Sequence, residues 1–184
     1  MMKVCYDIIL GYVNNKDVLD IGSCANQGEK VKSKTLYSSI KKAAKSVTGV
    51  DIESDTEEII RGNAETIRLG REFDVVVAGD VIEHIYNAGL FLDNMHSHLR
   101  KDGLMLVVTP NAKSIGYLPF KGNQFHTCWY CKNTLKYLLE QHGFKVEKII
   151  VGLRKRKNPF KDLLRHIFAN NLLFVCRKVT DDSS

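Results

Sequence analysis

The 184-residue sequence lacks any apolar run that approaches the roughly 20 residues needed to cross a bilayer. Its first 16 residues contain one short apolar stretch, interrupted by Asp7 and Gly11, and they show no signal-peptide cleavage pattern. These absences favour a cytoplasmic protein, and the N-terminal pattern predicts an amphipathic helix over residues 2–12. Because the chain also lacks repeats, linkers and low-complexity tracts, we expect one domain over residues 1–184.

Cysteine is sparse, and its pattern argues against both disulfides and zinc. The five cysteines are an odd number in a chain without an export signal, which favours reduced thiols. Cys128 and Cys131 form a CxxC pair with His126 two residues before it, but a structural zinc site needs about four ligands and no second CxxC exists. We therefore expect no metal site, and we interpret both cysteines as small residues packed beside Trp129 and Tyr130.

Acidic residues are nearly absent from one stretch of the chain. The formal net charge is +6, and residues 154–178 carry eight basic residues against the single acid Asp162, a balance of +7. Asn158 and Pro159 are typical of a helix start, and an apolar stripe follows, which predicts a basic helical insertion at about 153–170 in the closing hairpin. This segment could bind an anionic acceptor, nucleic acid or a membrane surface, or it could be a solvated loop attached to a packed helix.

Short apolar runs alternate with segments of helical periodicity. Strands are predicted over 18–21, 47–52, 73–80, 104–110, 145–152 and 172–176. The helices between them are marked by a stripe from Leu36 to Val47, by a stripe from Leu92 to Leu99 that closes at residues 101–103, and by a segment capped by Asn133 and ended by Gly143. This alternation implies a mostly parallel sheet covered on both faces.

The first strand ends in an acid and turns at once through glycine into small residues, in VLDIGSCANQG at 18–28. Ligands of open parallel sheets bind at the carboxyl ends of the strands, so a nucleotide-like cofactor would lie at this turn. Gly22 lets the backbone approach such a ligand, and the Asp20 carboxylate suits a ligand that bears an ammonium group. A plain strand-to-helix turn is the structural alternative.

Further motifs follow in a fixed order. GVDIE at 49–53 places the acid Asp51 at the end of the second strand, where a carboxylate can accept hydrogen bonds from ribose hydroxyls. The motifs beyond it are GNAE (62–65), FDVVVAGDVIEHI (73–85), VVTPNA (107–112) and HTCWY (126–130). From about residue 16 to residue 150, this series resembles the class I methyltransferases that use S-adenosylmethionine (SAM), in particular those that act on small molecules.

The resemblance implies a Rossmann-like α/β fold: a three-layer sandwich with a mostly parallel seven-stranded sheet and an antiparallel last strand. It implies SAM as cofactor and a small-molecule or glycan-type acceptor that offers an O, N or C atom. By this resemblance the methionine part of SAM lies near Asp20, Gly22 and Ser23 and above Gly79, Asp80 and Val81, the ribose lies on Asp51, and the adenine lies against Ile52, Asn63 and Ala64.

Two features depart from the family pattern. Cys24 and Asn26 stand where the first motif usually has its second and third glycines, which puts the detailed shape of the loop in question. Only 11 residues separate Asp51 from Asn63, so we expect a stunted third strand.

Methyl transfer from a sulfonium needs an aligned acceptor that can lose its proton. His84 follows the strand-end acid Asp80, and His126 lies in the loop beyond the next strand, so both are expected above the same edge of the sheet. Either histidine could act as the base. Alternatively, His84 packs a helix or contacts the cofactor, and His126 orders Trp129. Glu83 could either cap a helix or take part in the chemistry.

Three other functions fit parts of the sequence. An RNA or protein methyltransferase would use the basic residues 154–165, but no RNA-binding domain is appended and the Asn-Pro-Pro-Tyr strand-end signature is absent. A non-catalytic SAM-binding protein is disfavoured by the intact strand-end acids. An NAD-dependent dehydrogenase would need glycine where Cys24 and Gln27 stand. The sequence predicts no particular oligomeric state.

Overall fold

One seven-stranded sheet organises the chain, with helices packed on both of its faces. The computed structural model describes residues 3–24, 35–54, 56–114, 126–151 and 171–180. Its helices are α1 (Lys3–Val13), α2 (Leu36–Ala43), α3 (Ala88–Ser97) and α4 (Lys132–Gln141), and a short 3-10 helix spans Ile82–His84. Its strands are β1 (Asp17–Ile21), β2 (Ser46–Asp51), β3 (Ile59–Arg61), β4 (Phe73–Gly79), β5 (Leu99–Pro110), β6 (Phe144–Val151) and β7 (Asn171–Lys178).

The strand order β3-β2-β1-β4-β5-β7-β6 places the first strand inside the sheet. The first five strands pair in parallel, and β7 runs antiparallel to both β5 and β6. Parallel strands carry their carboxyl ends at the same edge, so β1, β2, β4 and β5 all end side by side. The mostly parallel sheet with an antiparallel last strand, which the resemblance implies, is confirmed.

The central strands are buried on both faces, which explains their continuous apolar sequences. In β4, Val75 and Val77 pack in the cluster that holds residues of α1 and α2. Val76 and Ala78 pack in the opposite cluster, with residues of α3 and α4. Because consecutive strand residues point to opposite faces, a doubly covered strand needs an unbroken apolar run, and polar side chains gather only near its ends.

The helical spacing of the sequence runs into the following strand at two boundaries. Val47 belongs to β2, as the strand predicted over 47–52 has it, although the spacing that starts at Leu36 also includes it. Leu99 and the predicted helix end at 101–103 belong to β5, since α3 already ends at Ser97. In both places the helix and the next strand bury apolar residues in the same core, so apolar spacing alone does not show where the helix stops.

The start of α4 also differs from its prediction, whereas its end does not. Cys131 caps the helix instead of Asn133, because its amide donates to Oγ1 of Thr134 at 3.0 Å and closes a capping box. Gly143 follows the helix with a φ of 77°, the left-handed conformation expected of a terminating glycine. The stunted third strand is confirmed, since β3 contains three residues.

Among the described residues, no helix is long and apolar enough to span a membrane. The basic helical insertion predicted at about 153–170 lies outside the described residues. That insertion therefore stays a prediction. The cytoplasmic location and the single-domain organisation also stay predictions.

Leu106 offers a direct test of the core. It is fully buried in β5, between Val77 and Val175 of the neighbouring strands. We expect Leu106→Ala to lower the free energy of unfolding by about 2–5 kcal/mol, because the lost methyl groups leave a cavity. The same substitution at Leu90, which is 41% exposed on α3, should cost about 1 kcal/mol or less. Urea unfolding followed by circular dichroism measures both, and equal losses would contradict the assigned burial.

Candidate functional site

The turn after β1 leaves no room for a side chain. Gly22 has a φ of 74°, a left-handed conformation that glycine adopts without strain. Its amide donates to the Val50 carbonyl at 2.9 Å, which ties the turn to β2. A Cβ at this position would overlap Cγ2 of Val81, just beyond β4. The bare backbone therefore lets the ends of three neighbouring strands approach one another.

Asp20 is a buried acid near the end of β1, with 2% of its surface exposed. The Ser23 hydroxyl lies 2.9 Å from Oδ2 of Asp20 and 2.8 Å from the Asp20 carbonyl, so its proton is shared between these acceptors. Burial raises the pKa of Asp20 to about 7, and the negative charge of Asp51 acts in the same direction. A cationic group nearby would favour the ionised form, so this carboxyl suits a ligand with an ammonium group.

Asp51, at the end of β2, is oriented by two backbone amides. Its Oδ2 accepts from the Cys24 amide at 3.0 Å, and its Oδ1 accepts from the Glu53 amide at 2.9 Å. The next residue, Ile52, is an apolar side chain that is 62% exposed. An oriented carboxylate beside an open apolar side chain suits a nucleoside, whose ribose offers hydroxyl donors and whose base offers a flat face.

Asn63 and Ala64 lie beyond the short strand β3, close to the end of β2. The Gly62 amide donates to the Asp51 carbonyl at 3.0 Å, which holds this segment against the second strand. Asn63 is exposed, and its Oδ1 accepts from the Glu65 amide at 2.8 Å. Ala64 is buried. The structure thus places both residues beside Asp51, where the sequence predicts the adenine contacts.

Gly79, Asp80 and Val81, which the resemblance places beneath the cofactor, also lie at this edge. Asp80 has a φ of 55°, which is uncommon for a residue with a side chain. Its Oδ1 accepts from the side-chain amide of Asn171 at 3.5 Å, and burial raises its pKa. Because Val81 lies against Gly22, the end of β4 and the turn after β1 form one continuous surface.

Glu83, for which the sequence leaves two roles open, is a buried acid on the same edge. It is 2% exposed, and its Oε2 accepts from the Thr109 hydroxyl at 2.9 Å. Burial raises the pKa of Glu83 to about 8, and the charge of Asp80 raises it further. This carboxyl is therefore mostly protonated at pH 7, and it can exchange its proton near neutrality.

The two histidines predicted as bases contact each other. The ring centroids of His84 and His126 are 4.8 Å apart in an edge-to-face arrangement. The His126 ring also lies 4.7 Å from the ring of Trp129, and its buried Nδ1 has no hydrogen-bond partner among the described residues. Burial lowers the pKa of His126, and positive charge on His84 lowers it further, so the His126 ring is neutral at pH 7.

Thr127, which sequence reasoning missed, anchors the loop that carries His126. Its amide donates to the Glu83 carbonyl at 2.8 Å. Its hydroxyl lies 3.0 Å from the same carbonyl and 2.7 Å from the Ile85 carbonyl. Thr127 belongs to the motif at 126–130, but that motif does not indicate its partner, because Glu83 and Thr127 are 44 positions apart in the sequence.

Glu83, His84 and His126 form a group that could hold a metal ion, since one ligand atom of each lies within 4.8 Å of the others. Imidazole and carboxylate are common ligands of zinc and iron. The raised pKa of Glu83 opposes binding, because the carboxyl must ionise first. Neither Cys128 nor Cys131 belongs to this group. The expectation that the protein has no metal site stays a prediction.

Comparisons with known proteins show the family. A family model described as a methyltransferase domain matches residues 13–149. A probable S-adenosylmethionine-dependent methyltransferase of Mycolicibacterium smegmatis is 30% identical over 159 residues, which cover 79% of this chain and 58% of that protein. The human mitochondrial ubiquinone biosynthesis O-methyltransferase is 28% identical over 116 residues, 56% of this chain and 29% of that protein. The chain thus matches less than two thirds of the length of either relative.

A solved structure has the same fold. The 1,6-didemethyltoxoflavin-N1-methyltransferase of Burkholderia thailandensis, with 1,6-didemethyltoxoflavin and S-adenosylhomocysteine bound, aligns with a TM-score of 0.70 at 16% identity. The alignment covers 97% of this chain and 78% of that one. At this identity the likeness concerns the fold alone.

Glu83→Gln tests the buried acid through the pH dependence of stability. The folded pKa is about 8 and the ordinary value is 4.5, so between these values the folded protein binds the proton more tightly than the unfolded chain does. Wild-type stability should therefore fall relative to the variant as pH rises through this window, by up to about 1.4 kcal/mol per pH unit. Urea unfolding from pH 5 to pH 8 measures this. Glu72→Gln, at an exposed acid, should follow the wild type, and a parallel curve for Glu83→Gln would contradict the raised pKa.

Proposed function

This chain belongs to the SAM-dependent methyltransferase family, and on that basis we propose that it binds SAM and transfers the methyl group to a small-molecule acceptor. The observation that carries the proposal is the position of two strand-end carboxylates, Asp20 and Asp51, around the side-chain-free turn at Gly22. The family resemblance assigns these same residues to the cofactor.

The groups at this edge fit the three parts of SAM. The buried carboxyl of Asp20 matches the ammonium of the methionine part, because ion pairing would favour the charged form of both. Asp51 is held with its carboxylate oriented for the ribose hydroxyls, and the exposed side chain of Ile52 offers an apolar surface to the adenine. Gly22 lets the backbone of the turn lie directly against Val81, so that the ends of β1 and β4 form one surface for the methionine part.

The acceptor would bind at the ends of β4 and β5, beside the loop that carries His126. We call this region the acceptor side. Bound SAM supplies an electrophilic methyl group on a sulfonium, so the acceptor must lose a proton in the reaction. We assign this proton to His126, which is neutral at pH 7 because burial lowers its pKa. His84 positions the His126 ring through their edge-to-face contact. Glu83 keeps a proton near pH 7, so it can donate a hydrogen bond within this group.

A small-molecule acceptor is supported by two similar proteins, a ubiquinone biosynthesis O-methyltransferase and a methyltransferase with bound 1,6-didemethyltoxoflavin. The alternative of an RNA or protein acceptor depends on the basic residues 154–165, which lie outside the described residues. A non-catalytic SAM-binding role would not explain why Glu83, His84 and His126 lie together. A cytoplasmic location forms part of the same proposal.

Cofactor binding is tested at Asp51. Asp51→Ala removes the charged acceptor of the ribose hydroxyls and should weaken SAM binding by about 1.5–3 kcal/mol. Asp93→Ala, at an exposed acid of α3, should bind SAM as the wild type does. Isothermal titration calorimetry at pH 8 measures both affinities. Unchanged affinity of the Asp51 variant would refute the place assigned to the ribose.

Proton acceptance is tested at His126. His126→Ala should lower turnover by about 100-fold or more while SAM affinity stays unchanged, because the base acts only on the acceptor. His142→Ala, at the far end of α4, is the matched control. A panel of phenols and amines is first screened with the wild type, and the acceptor that it methylates fastest is chosen. Release of S-adenosylhomocysteine is then measured with this acceptor from pH 6 to pH 9. Equal turnover of the His126 variant and the wild type would assign His126 a structural role.

A further inference from the structure

A cavity of about 470 Å³ opens beside the proposed acceptor side, at the edge where β5, β7 and β6 follow one another. Asn111 and Lys113 line it from the turn after β5, and Lys132 lines it from the first residue of α4. The remaining described lining is apolar and consists of Ile149, Ile150 and Val151 at the end of β6 and Leu172 near the start of β7. The cavity therefore combines an apolar floor with two ammonium groups.

The sheet register places this cavity next to the proton-transfer site. Thr109 pairs with Leu172 across β5 and β7, and Leu172 pairs with Val151 across β7 and β6. Thr109 is the residue whose hydroxyl binds Glu83. Because neighbouring strands lie about 4.8 Å apart, the apolar floor begins one strand away from that hydrogen bond.

The two lysines give the cavity a positive charge. None of the described lining residues is acidic, and the ion pairs found among the described residues include neither Lys113 nor Lys132. Lys136, one turn along α4, instead pairs with Glu140 at 3.4 Å. The charge of Lys113 also helps lower the pKa of the Cys131 thiol, after the larger effect of hydrogen bonding in the first turn of α4. The positive potential therefore reaches the start of that helix.

The backbone that carries Lys113 is ordered by a tight turn. Its amide donates to Oδ1 of the buried Asn111 at 3.2 Å, and the Ser114 amide donates to the Asn111 carbonyl at 2.9 Å. A main chain ordered before binding lowers the entropic cost of fixing the lysine on a ligand.

We propose that this cavity binds the acceptor, and that the acceptor is an amphipathic oxyanion whose carboxylate or phosphate group is held by Lys113 and Lys132. Its apolar body lies against Ile149 and Val151, which are half-buried. Ammonium groups bind either oxyanion through charge-assisted hydrogen bonds, which favours the anion over a neutral molecule of the same shape. The inference rests on the proposed function, since the cavity is an acceptor site only if methyl transfer occurs at the neighbouring edge.

The test compares three fragments of similar shape: benzoate, phenyl phosphate and the neutral benzyl alcohol. Their binding to the full chain is titrated by ligand-observed NMR at low salt, with S-adenosylhomocysteine present. We expect both anions, or one of them, to bind at least about fivefold more tightly than benzyl alcohol, and this preference should shrink as salt is added. The fragment with the stronger preference identifies the oxyanion as carboxylate or phosphate.

Variants then assign the preference to the cavity. The double variant K113Q/K132Q should lose it, whereas K136Q on the same helix should keep it, and thermal melts check that each variant folds. Equal binding of anions and benzyl alcohol, no binding of either anion, or a preference that survives in K113Q/K132Q would overturn the inference. Calorimetry with S-adenosylhomocysteine alone separates the two proposals: cofactor binding without an anion preference refutes only the cavity, and absent cofactor binding refutes the proposed function.

Discussion

The burial of the central strands on both faces is the constraint on which the rest of this structure depends. Strands β1 and β4 run between two helical layers, so the middle of each strand is apolar. Polar chemistry is therefore displaced to the strand ends, where Asp20, Asp51 and Asp80 are found. Parallel pairing then gathers the carboxyl ends of these strands on one edge. The proposed SAM site is the surface that this displacement creates.

The acids at the amino ends of the parallel strands and those at the carboxyl ends have pKa values shifted in opposite directions. At the amino edge, Arg100 binds Asp74 at 2.6 Å and Asp17 at 3.1 Å, and the hydrogen bond from a serine together with this arginine lowers the pKa of Asp17. At the carboxyl edge, Asp20 and Glu83 are buried without a cation among the described residues, and burial raises their pKa values. Acids whose charge is unfavourable in the free protein are typical of sites that a ligand completes. The ion pairs at the amino edge thus stabilise the fold, whereas the buried acids at the carboxyl edge belong to the proposed site.

The acceptor side combines segments that are distant in the sequence. Thr127 fixes the loop of His126 to the backbone of Glu83, and Thr109 of β5 binds the Glu83 carboxyl. The antiparallel strand β7 then brings Leu172 alongside Thr109, which places the lysine-lined cavity one strand farther out. In the proposed function, the last two strands of the sheet therefore contribute to the acceptor side, while the first half of the chain supplies the residues assigned to SAM.

The sequence by itself determined the alternation of strands and helices, the strand-end acids and the turn at Gly22, because these features depend on local periodicity and on neighbouring residues. It also indicated that His84 and His126 share an edge, since both follow predicted strands. Tertiary structure alone decided that Glu83 is buried with a raised pKa and that Thr127 anchors the loop of His126 to Glu83. It also decided that Lys113 and Lys132 line one cavity. Burial, and contacts between residues that lie far apart along the chain, arise only when the layers pack, so no local pattern contains them.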